Sequence, residues 1–146
     1  MFRGRFAHTL DAKGRIRIPT RFRETLQDRF DDQLIITNLE RCLIAYPLPE
    51  WEQIEQRLGG LSLFRPEVKA IQRFFLSGAT ECSFDKQGRI LIPQTLRQHA
   101  RLEREIVLVG MVKGFEIWSK PLWEDELTKS HENFLQVAET LSELGI

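Results

Sequence analysis

The stretch LDAKGRIRIP (Leu10–Pro19) returns as FDKQGRILIP (Phe84–Pro93), and it decides how the chain folds. In both stretches Gly follows Asp by three residues, and Arg follows the Gly directly. An Asp side chain accepts hydrogen bonds from backbone amides just ahead of it, and Gly adopts a positive φ without strain. Each stretch therefore predicts a tight turn between two strands.

The similarity between the two halves continues beyond this turn. Asp11 and Asp85 differ by 74 positions, whereas Trp51 and Trp123, each followed by Glu, differ by 72. The smaller offset places a two-residue deletion in the second copy, before Ile106. Self-similarity of this length is the signature of a repeat, so the chain is interpreted as a duplicated domain.

Each copy is predicted to follow the order β-β-α-β-β and then a helix. Alternating apolar residues predict four strands in the first copy, at residues 6–10, 15–18, 34–37 and 43–46. Pro19 cannot donate to a sheet ladder, so it ends the second strand, and a short helix is predicted through Leu26. An amphipathic helix around Trp51 closes the first copy, and in the second copy the closing helix starts at about Pro121.

A unit of this size buries too little apolar surface to be comfortably stable alone. Two copies are therefore expected to pair their hairpins into a joint barrel, which makes the chain an intramolecular pseudo-dimer. Between the copies, Pro66 marks a helix start, and Val68, Ile71 and Phe75 form one apolar stripe. The expected division is a first domain at 1–58, a helical connector at 59–78, a second domain at 79–128 and a C-terminal helix at 129–146.

Charge is distributed unevenly along the chain. The formal net charge is zero, since 21 basic residues balance 21 acidic ones, and this argues mildly against nucleic-acid binding. Residues 3–23, however, contain seven basic residues and one acidic residue, a net charge of +6. The matching residues 77–97 contain three basic and two acidic residues, a net charge of +1. The first copy thus carries a cationic segment that the second lacks.

Comparison of the two copies separates structural candidates from functional ones. Residues that both copies share are what the fold needs, and cations confined to the first copy are what a ligand needs. The predicted structural residues of the turns are Asp11, Gly14, Asp85 and Gly88. The cations without a structural reason are Arg3, Arg5, Lys13 and Arg17, while Arg15 and Arg89 fit either role. Leu91 stands where the first copy has Arg17, which suggests that the outer face of the second copy packs against protein.

No catalytic or metal site is predicted, and no cofactor or small-molecule substrate is expected. The three histidines are scattered, and neither Cys42 nor Cys82 has a His at metal-ligand spacing. Phosphate-cradling glycine loops and nucleophile motifs are missing from the sequence. The N-terminus does not look like a signal peptide, and the apolar run at 106–112 is too short to span a bilayer. A cytoplasmic protein with both cysteines in its core is expected.

Three longer stretches resemble one known family: MFRGRFAHTLDAKGRIRIPTRFR (1–23), YPLPEWEQIEQRL (46–58) and ATECSFDKQGRILIPQTLRQHA (79–100). They are similar to the MraZ family of bacterial transcriptional regulators, and the resemblance runs nearly end to end. It implies two tandem SpoVT/AbrB-type domains, each marked by D-x-x-x-R, here Asp11/Arg15 and Asp85/Arg89. The implied fold class is α+β, with duplicated ββαββ-helix units in an AbrB/MazE-like swapped-hairpin β-barrel, an intramolecular pseudo-dimer with flanking helices.

The resemblance also implies a function. Members of the family form ring-shaped homo-oligomers and bind short repeated boxes of double-stranded DNA upstream of their own operon. That operon is the division and cell-wall gene cluster, where the family acts mainly as a repressor and sometimes as an activator. A nucleoid-associated protein is therefore expected. A ring that presents one cationic hairpin per subunit gains affinity by avidity, although the protomer itself has no net charge.

The expected DNA contacts follow from the chemistry of arginine. A two-stranded ribbon can enter the major groove, and Arg donates bidentately to phosphate or to guanine. The predicted DNA-binding residues are Arg3, Arg5, Lys13, Arg15, Arg17 and Arg89. The alternative is an AbrB-like antitoxin or protein-interaction module, which the acidic amphipathic C-terminus keeps open.

Overall fold

The computed structural model describes residues 1–29 and 32–146. In the first copy the elements are β1 (Arg5–Thr9), β2 (Arg15–Arg17), α1 (Thr20–Arg29), β3 (Gln33–Asn38), β4 (Leu43–Pro47) and α2 (Leu48–Gly59). The connector is α3 (Pro66–Ile71), which continues as a π-helical turn over Gln72–Leu76. In the second copy they are β5 (Thr80–Ser83), β6 (Arg89–Leu91), α4 (Gln94–His99), β7 (Glu105–Gly110), β8 (Phe115–Ser119) and α5 (Lys120–Glu132). The chain ends with α6 (Phe134–Glu143).

This order of elements confirms the prediction for both copies. Pro66 is the first residue of α3, and its stripe residue Val68 is buried. The stripe continues into the π-helical turn, where the ring of Phe75 lies 5.3 Å from that of Trp51 on α2. The helix after β8 begins at Lys120, one residue before Pro121, because Ser119 caps its N-terminus with a hydrogen bond from the amide of Leu122.

The strands of the two copies are exchanged within one antiparallel sheet, whose order is β1-β7-β8-β4-β3-β5. The first strand of each copy pairs with the third strand of the other, so β1 lies on β7 and β5 lies on β3. The registers also match, because Thr9 faces Glu105 and its counterpart Ser83 faces Gln33. A pseudo-two-fold axis therefore relates the copies, and the swapped-hairpin pseudo-dimer of the predicted fold class is confirmed.

The main hydrophobic core belongs to both copies at once. Phe2 and Phe22 from the first copy contact Phe115 from the second, with ring centroids 5.5 and 4.9 Å from it. All three rings are buried, as are Ile16 and Ile90 on the strands β2 and β6. The two copies therefore build this core together, as expected for units too small to bury a core alone.

Both cysteines are buried and free of disulfides. No helix among the described residues is long and apolar enough to cross a bilayer.

Candidate nucleic-acid interface

The two D-x-x-x-R turns have the same hydrogen bonds. Asp11 Oδ1 accepts from the amides of Lys13 and Arg15, both at 2.9 Å, and Oδ2 accepts from Arg15 Nε at 2.7 Å. Asp85 accepts in the same way from the amides of Gln87 and Arg89, at 2.8 and 2.9 Å, and from Arg89 Nε at 2.8 Å. Each Asp therefore holds its own turn, and each Arg uses Nε for that turn.

These bonds favour the charged form of both carboxyls. The amide of Arg15 is the main cause that lowers the pKa of Asp11 to about 2. The amide of Arg89 lowers the pKa of Asp85 in the same way. Arg89 Nη1 also lies 4.0 Å from Asp11 Oδ2, so the second motif contacts the carboxylate of the first. Both carboxylates are therefore charged at neutral pH, and both orient arginines.

The glycine of each turn lies directly against the guanidinium of an arginine from the other copy. Gly14 has φ +86°, and a Cβ there would lie 2.5 Å from Cζ of Arg97. Gly88 has φ +76°, and a Cβ there would collide with the guanidinium of Arg23. Both glycines are therefore needed for backbone conformation and for close approach.

Sequence reasoning missed this role of Arg23 and Arg97. The signal was present, because both copies keep an arginine at these positions, 74 residues apart. The Arg97 guanidinium is held by a 2.9 Å hydrogen bond from Nε to the carbonyl of Ile92, and that of Arg23 lies 5.1 Å from the ring centroid of Phe84. In the sequence Arg23 is only one of the seven basic residues at 3–23, and its contact with the second turn exists only in the folded chain.

The strands that follow the two turns form a ribbon of their own. β2 and β6 pair so that Arg15 faces Leu91, Ile16 faces Ile90 and Arg17 faces Arg89. Because side chains alternate along a strand, the buried isoleucines occupy one face and the other residues occupy the opposite face. The ribbon face is defined here as Arg15, Arg17, Arg89 and Leu91. Both motif copies thus contribute to one surface.

Three of the six predicted DNA-binding residues lie on the ribbon face, and Lys13 lies next to it. Arg15 and Arg89 are half-buried by their bonds to Asp, and Arg17 is exposed. Among the described residues the Arg17 side chain has no ion-pair partner, although its carbonyl lies 2.7 Å from Nδ1 of His8. Lys13 is exposed at the tip of the first turn. This set is the part of the prediction that the structure brings together.

The second turn adds a lysine that sequence comparison had missed. Lys86 is exposed in the turn between β5 and β6. At the offset of 74 it aligns with Ala12, so a position-by-position comparison did not match it with Lys13. In the folded chain both turns lead into the same ribbon, so each turn contributes one exposed lysine to its surroundings.

Arg3 and Arg5 lie away from this ribbon, at the opposite end of β1 from the Asp11 turn. The guanidinium of Arg5 lies 5.3 Å from the ring centroid of Trp123 on α5. In the first copy the equivalent Trp51 is covered by Phe75, and Ala79 stands in the position that matches Arg5. Arg5 therefore has a packing partner that explains why only one copy carries it.

Leu91 is exposed in the described part of the chain. Its side chain is 56% exposed, and it lies opposite Arg15 on the ribbon face. The packing against protein that Leu91 suggests therefore stays a prediction about a partner of this face. Because the hairpins interleave, the outer face of the second copy is the outer face of the first.

No group of three or more His, Cys, Asp or Glu side chains within residues 1–29 and 32–146 could hold a metal ion. The fold and the ribbon define a duplicated, swapped-hairpin protein with a cationic surface at its pseudo-two-fold axis.

Comparison with known proteins identifies the family. The family model described as "MraZ protein, putative antitoxin-like" matches residues 1–74 and again residues 75–144. A protein named transcriptional regulator MraZ from Syntrophobacter fumaroxidans is 46% identical over 99% of this chain and 97% of its own length. Proteins of the same name from Desulfitobacterium hafniense and Thermoanaerobacter pseudethanolicus are 47% and 46% identical over the whole of both chains. The chain therefore belongs to the MraZ family, and these relatives are named as regulators of transcription.

Proposed function

We propose that this protein is a sequence-specific regulator of transcription that binds double-stranded DNA through the ribbon face. It binds repeated boxes upstream of its own operon, in the division and cell-wall gene cluster, and acts there mainly as a repressor. It works in the cytoplasm, associated with the nucleoid, as a ring-shaped homo-oligomer, without a cofactor and without catalytic activity. The names of its relatives support regulation of transcription.

The observation that carries the proposal is the convergence of Arg15, Arg17 and Arg89 on one exposed ribbon face. A two-stranded antiparallel ribbon has the right dimensions to enter the major groove. Arginine forks can donate there to guanine O6 and N7, or to the phosphates at the groove edges. Lys13 and Lys86 lie in the two turns that flank the ribbon, where a lysine can neutralise a phosphate.

The three arginines differ in how much structure they also support. Arg15 and Arg89 each donate Nε to the Asp of their own turn, so their loss weakens the turns as well as DNA binding. Arg17 makes no such bond within the described chain. Replacing Arg17 is therefore the cleanest way to weaken the DNA interface while the turns stay intact.

The test is the affinity for a promoter fragment measured over a range of salt concentrations. We expect Arg17→Ala to weaken binding at least about tenfold, and to lower the slope of log affinity against log salt by about 0.9 for each phosphate that the protein no longer neutralises. Lys113→Ala is the matched control, since it removes one exposed cation at the far end of β7 from the ribbon. It should leave affinity and slope unchanged.

Equal effects of the two variants would show that DNA is attracted by general charge, and would overturn the proposed interface. Sequence specificity is tested by selecting bound genomic fragments at physiological salt. The proposal predicts enrichment of repeated boxes upstream of the gene for this protein. A reporter driven by that promoter should be more active when the ribbon carries Arg17→Ala.

A further inference from the structure

The pseudo-two-fold axis runs through the middle of the ribbon. Ile16 faces Ile90 across the ribbon, and the same two residues lie 74 positions apart, so each is the counterpart of the other. The axis therefore passes between them. The positions of the ribbon face form two pairs that this axis relates: Arg15 with Arg89, and Arg17 with Leu91.

The backbone at position 91 is held in the same way as the backbone at position 17. The carbonyl oxygen of Arg17 lies 2.7 Å from Nδ1 of His8, and that of Leu91 lies 3.7 Å from Sγ of Cys82. His8 and Cys82 are themselves counterparts, 74 positions apart. The amide of the next residue along each strand donates to the carbonyl of the glycine in the opposite turn. Positions 17 and 91 are thus equivalent places, and only their side chains differ.

The ribbon face is symmetric except for this one pair. Arg15 and Arg89 are identical, and each donates Nε to the Asp of its own turn. Each flanking turn also carries one exposed lysine, so the charge at the two ends of the ribbon is balanced. Arg17 and Leu91 differ in both charge and polarity. The face therefore presents three guanidinium groups and one apolar side chain.

The side chain of Leu91 points away from the core. Its neighbours Ile90 and Ile92 are buried, so alternation along the strand directs Leu91 to the opposite side, where it is exposed. A single exposed leucine is ordinary on a protein surface. This leucine, however, lies among the three arginines on the face that the proposed function places against DNA. DNA binding therefore buries it.

Arginine and leucine favour different partners in the major groove. An arginine fork donates to guanine O6 and N7 or to phosphate, whereas an apolar side chain contacts the C5 methyl group of thymine. Thymine is the base whose major-groove edge carries an apolar group, so it is the base that a buried leucine favours. The difference between positions 17 and 91 is thus a difference in what the two halves of the ribbon can read.

We propose that Leu91 is a specificity-determining residue that contacts the methyl group of one thymine in the DNA box. The proposal rests on the proposed function and adds which half of the ribbon recognises that base. Arg17, at the equivalent place in the other half, cannot make the same contact. The symmetry of a DNA site follows the symmetry of the protein that reads it. The preferred box is therefore not a perfect palindrome, and the chain binds it in one orientation.

Replacement of thymine by uracil is the most direct probe, because it removes the C5 methyl group and leaves base pairing unchanged. The probe is a duplex with one box, taken from the genomic fragments that the protein selects, with each thymine in turn replaced by uracil. We expect one position at which uracil weakens binding of the unmodified protein about fourfold, the effect of one buried methyl group. Leu91→Ala should bind the thymine duplex more weakly and should not distinguish thymine from uracil at that position.

Met111→Ala is the matched control. Met111 is 51% exposed, close to the 56% of Leu91, and lies beyond the end of β7 that is far from the ribbon. This variant should keep the fourfold response to uracil. Circular dichroism should show both variants folded, since neither side chain is buried. An undiminished response to uracil in Leu91→Ala overturns the proposal, and so does a box in which no thymine is sensitive to uracil.

A gain of specificity tests the equivalence of the two positions. Arg17→Leu places a leucine in both halves of the ribbon. In a selection from randomised duplexes, this variant should acquire a second thymine preference, at the position that the dyad of the DNA relates to the thymine read by Leu91. Leu91→Ala should lose its preference at one base pair. A new preference at any other position overturns the proposal, because the ribbon axis then does not coincide with the dyad of the DNA.

The same variants separate this proposal from the proposed function. If Arg17→Ala and Leu91→Ala both bind a promoter fragment as tightly as the unmodified protein, the ribbon is not the DNA interface and both proposals fail. If Arg17→Ala weakens binding while Leu91→Ala keeps the full response to uracil, the ribbon interface stands and only the role of Leu91 fails. The second result is the one expected if another protein, rather than DNA, covers Leu91.

Discussion

Gly14→Ala tests the close contact between Gly14 of the first copy and Arg97 of the second. Its effect on the free energy of unfolding follows from the structure. The new residue would keep φ +86°, a left-handed conformation that costs an L-residue about 1–2 kcal/mol. Its Cβ would also lie 2.5 Å from Cζ and 2.7 Å from Nε of Arg97, so the guanidinium must move. That movement breaks the 2.9 Å bond from Arg97 Nε to the carbonyl of Ile92, a charged hydrogen bond worth about 1.5–3 kcal/mol.

The two costs together predict that Gly14→Ala lowers the free energy of unfolding by about 2.5–5 kcal/mol. In an Arg97→Ala background the collision and the hydrogen bond are both absent already, and only the backbone cost of about 1–2 kcal/mol should remain. The coupling free energy between positions 14 and 97 is then about 2 kcal/mol. This coupling joins a turn of the first copy to a helix of the second.

The measurement is urea unfolding followed by tryptophan fluorescence at one fixed protein concentration, because association contributes to apparent stability. Gly59→Ala is the control: the position lies at the end of α2, and a Cβ there meets no atom within 4 Å. It should be neutral or stabilise by up to about 1 kcal/mol. Coupling within about 0.5 kcal/mol of zero would refute the close approach of Arg97 to Gly14.

Three further results are expected. The depressed pKa of Asp11 means that its stabilising effect is complete above about pH 4, the ordinary range of the carboxyl, and is lost as the pH falls towards about 2; the depressed pKa of Asp85 acts in the same direction. An acid titration of Asp11→Asn should lack part of that loss of stability. Burial raises the pKa of the Cys82 thiol to about 11, and raises that of Cys42 further, so neither should react with a thiol reagent at pH 8 until urea unfolds the protein. Phe2→Ala should cost about 3–5 kcal/mol in urea unfolding, because the ring is fully buried against Phe22 and Phe115; a loss below about 1 kcal/mol would contradict that packing.

The order of elements could be predicted from the sequence because each signal is local. Alternating isoleucines, Pro19 and the Asp and Gly of each turn act over a few residues, and the offsets of 74 and 72 made one copy a check on the other. The exchange of β1 and β5 between copies was expected from the small size of a unit and from the family resemblance, and not from a local pattern. Register between distant strands depends on which surfaces bury together, which no local pattern specifies.

The candidate site was harder to predict, because position in the sequence does not give position on the surface. The excess of cations in the first copy pointed to Lys13 and Arg17, which do lie at the ribbon. It pointed equally to Arg5, whose guanidinium lies over Trp123 instead. The low net charge of the second copy did not indicate that it contributes Arg89 to the ribbon face. Arg89 lies opposite Arg17 only because β2 and β6 of the two copies pair with each other.

Site-specific photo-crosslinking to a promoter duplex shows most directly whether both turns flank one DNA-binding ribbon. A photoreactive side chain is introduced singly at Lys13, at Lys86 or at Lys113, and crosslinked protein is measured at equal saturation with DNA. We expect crosslinks from Lys13 and from Lys86 and none from Lys113. Crosslinks from Lys13 alone, or from Lys113 as strongly as from the turns, would contradict a ribbon shared by the two copies.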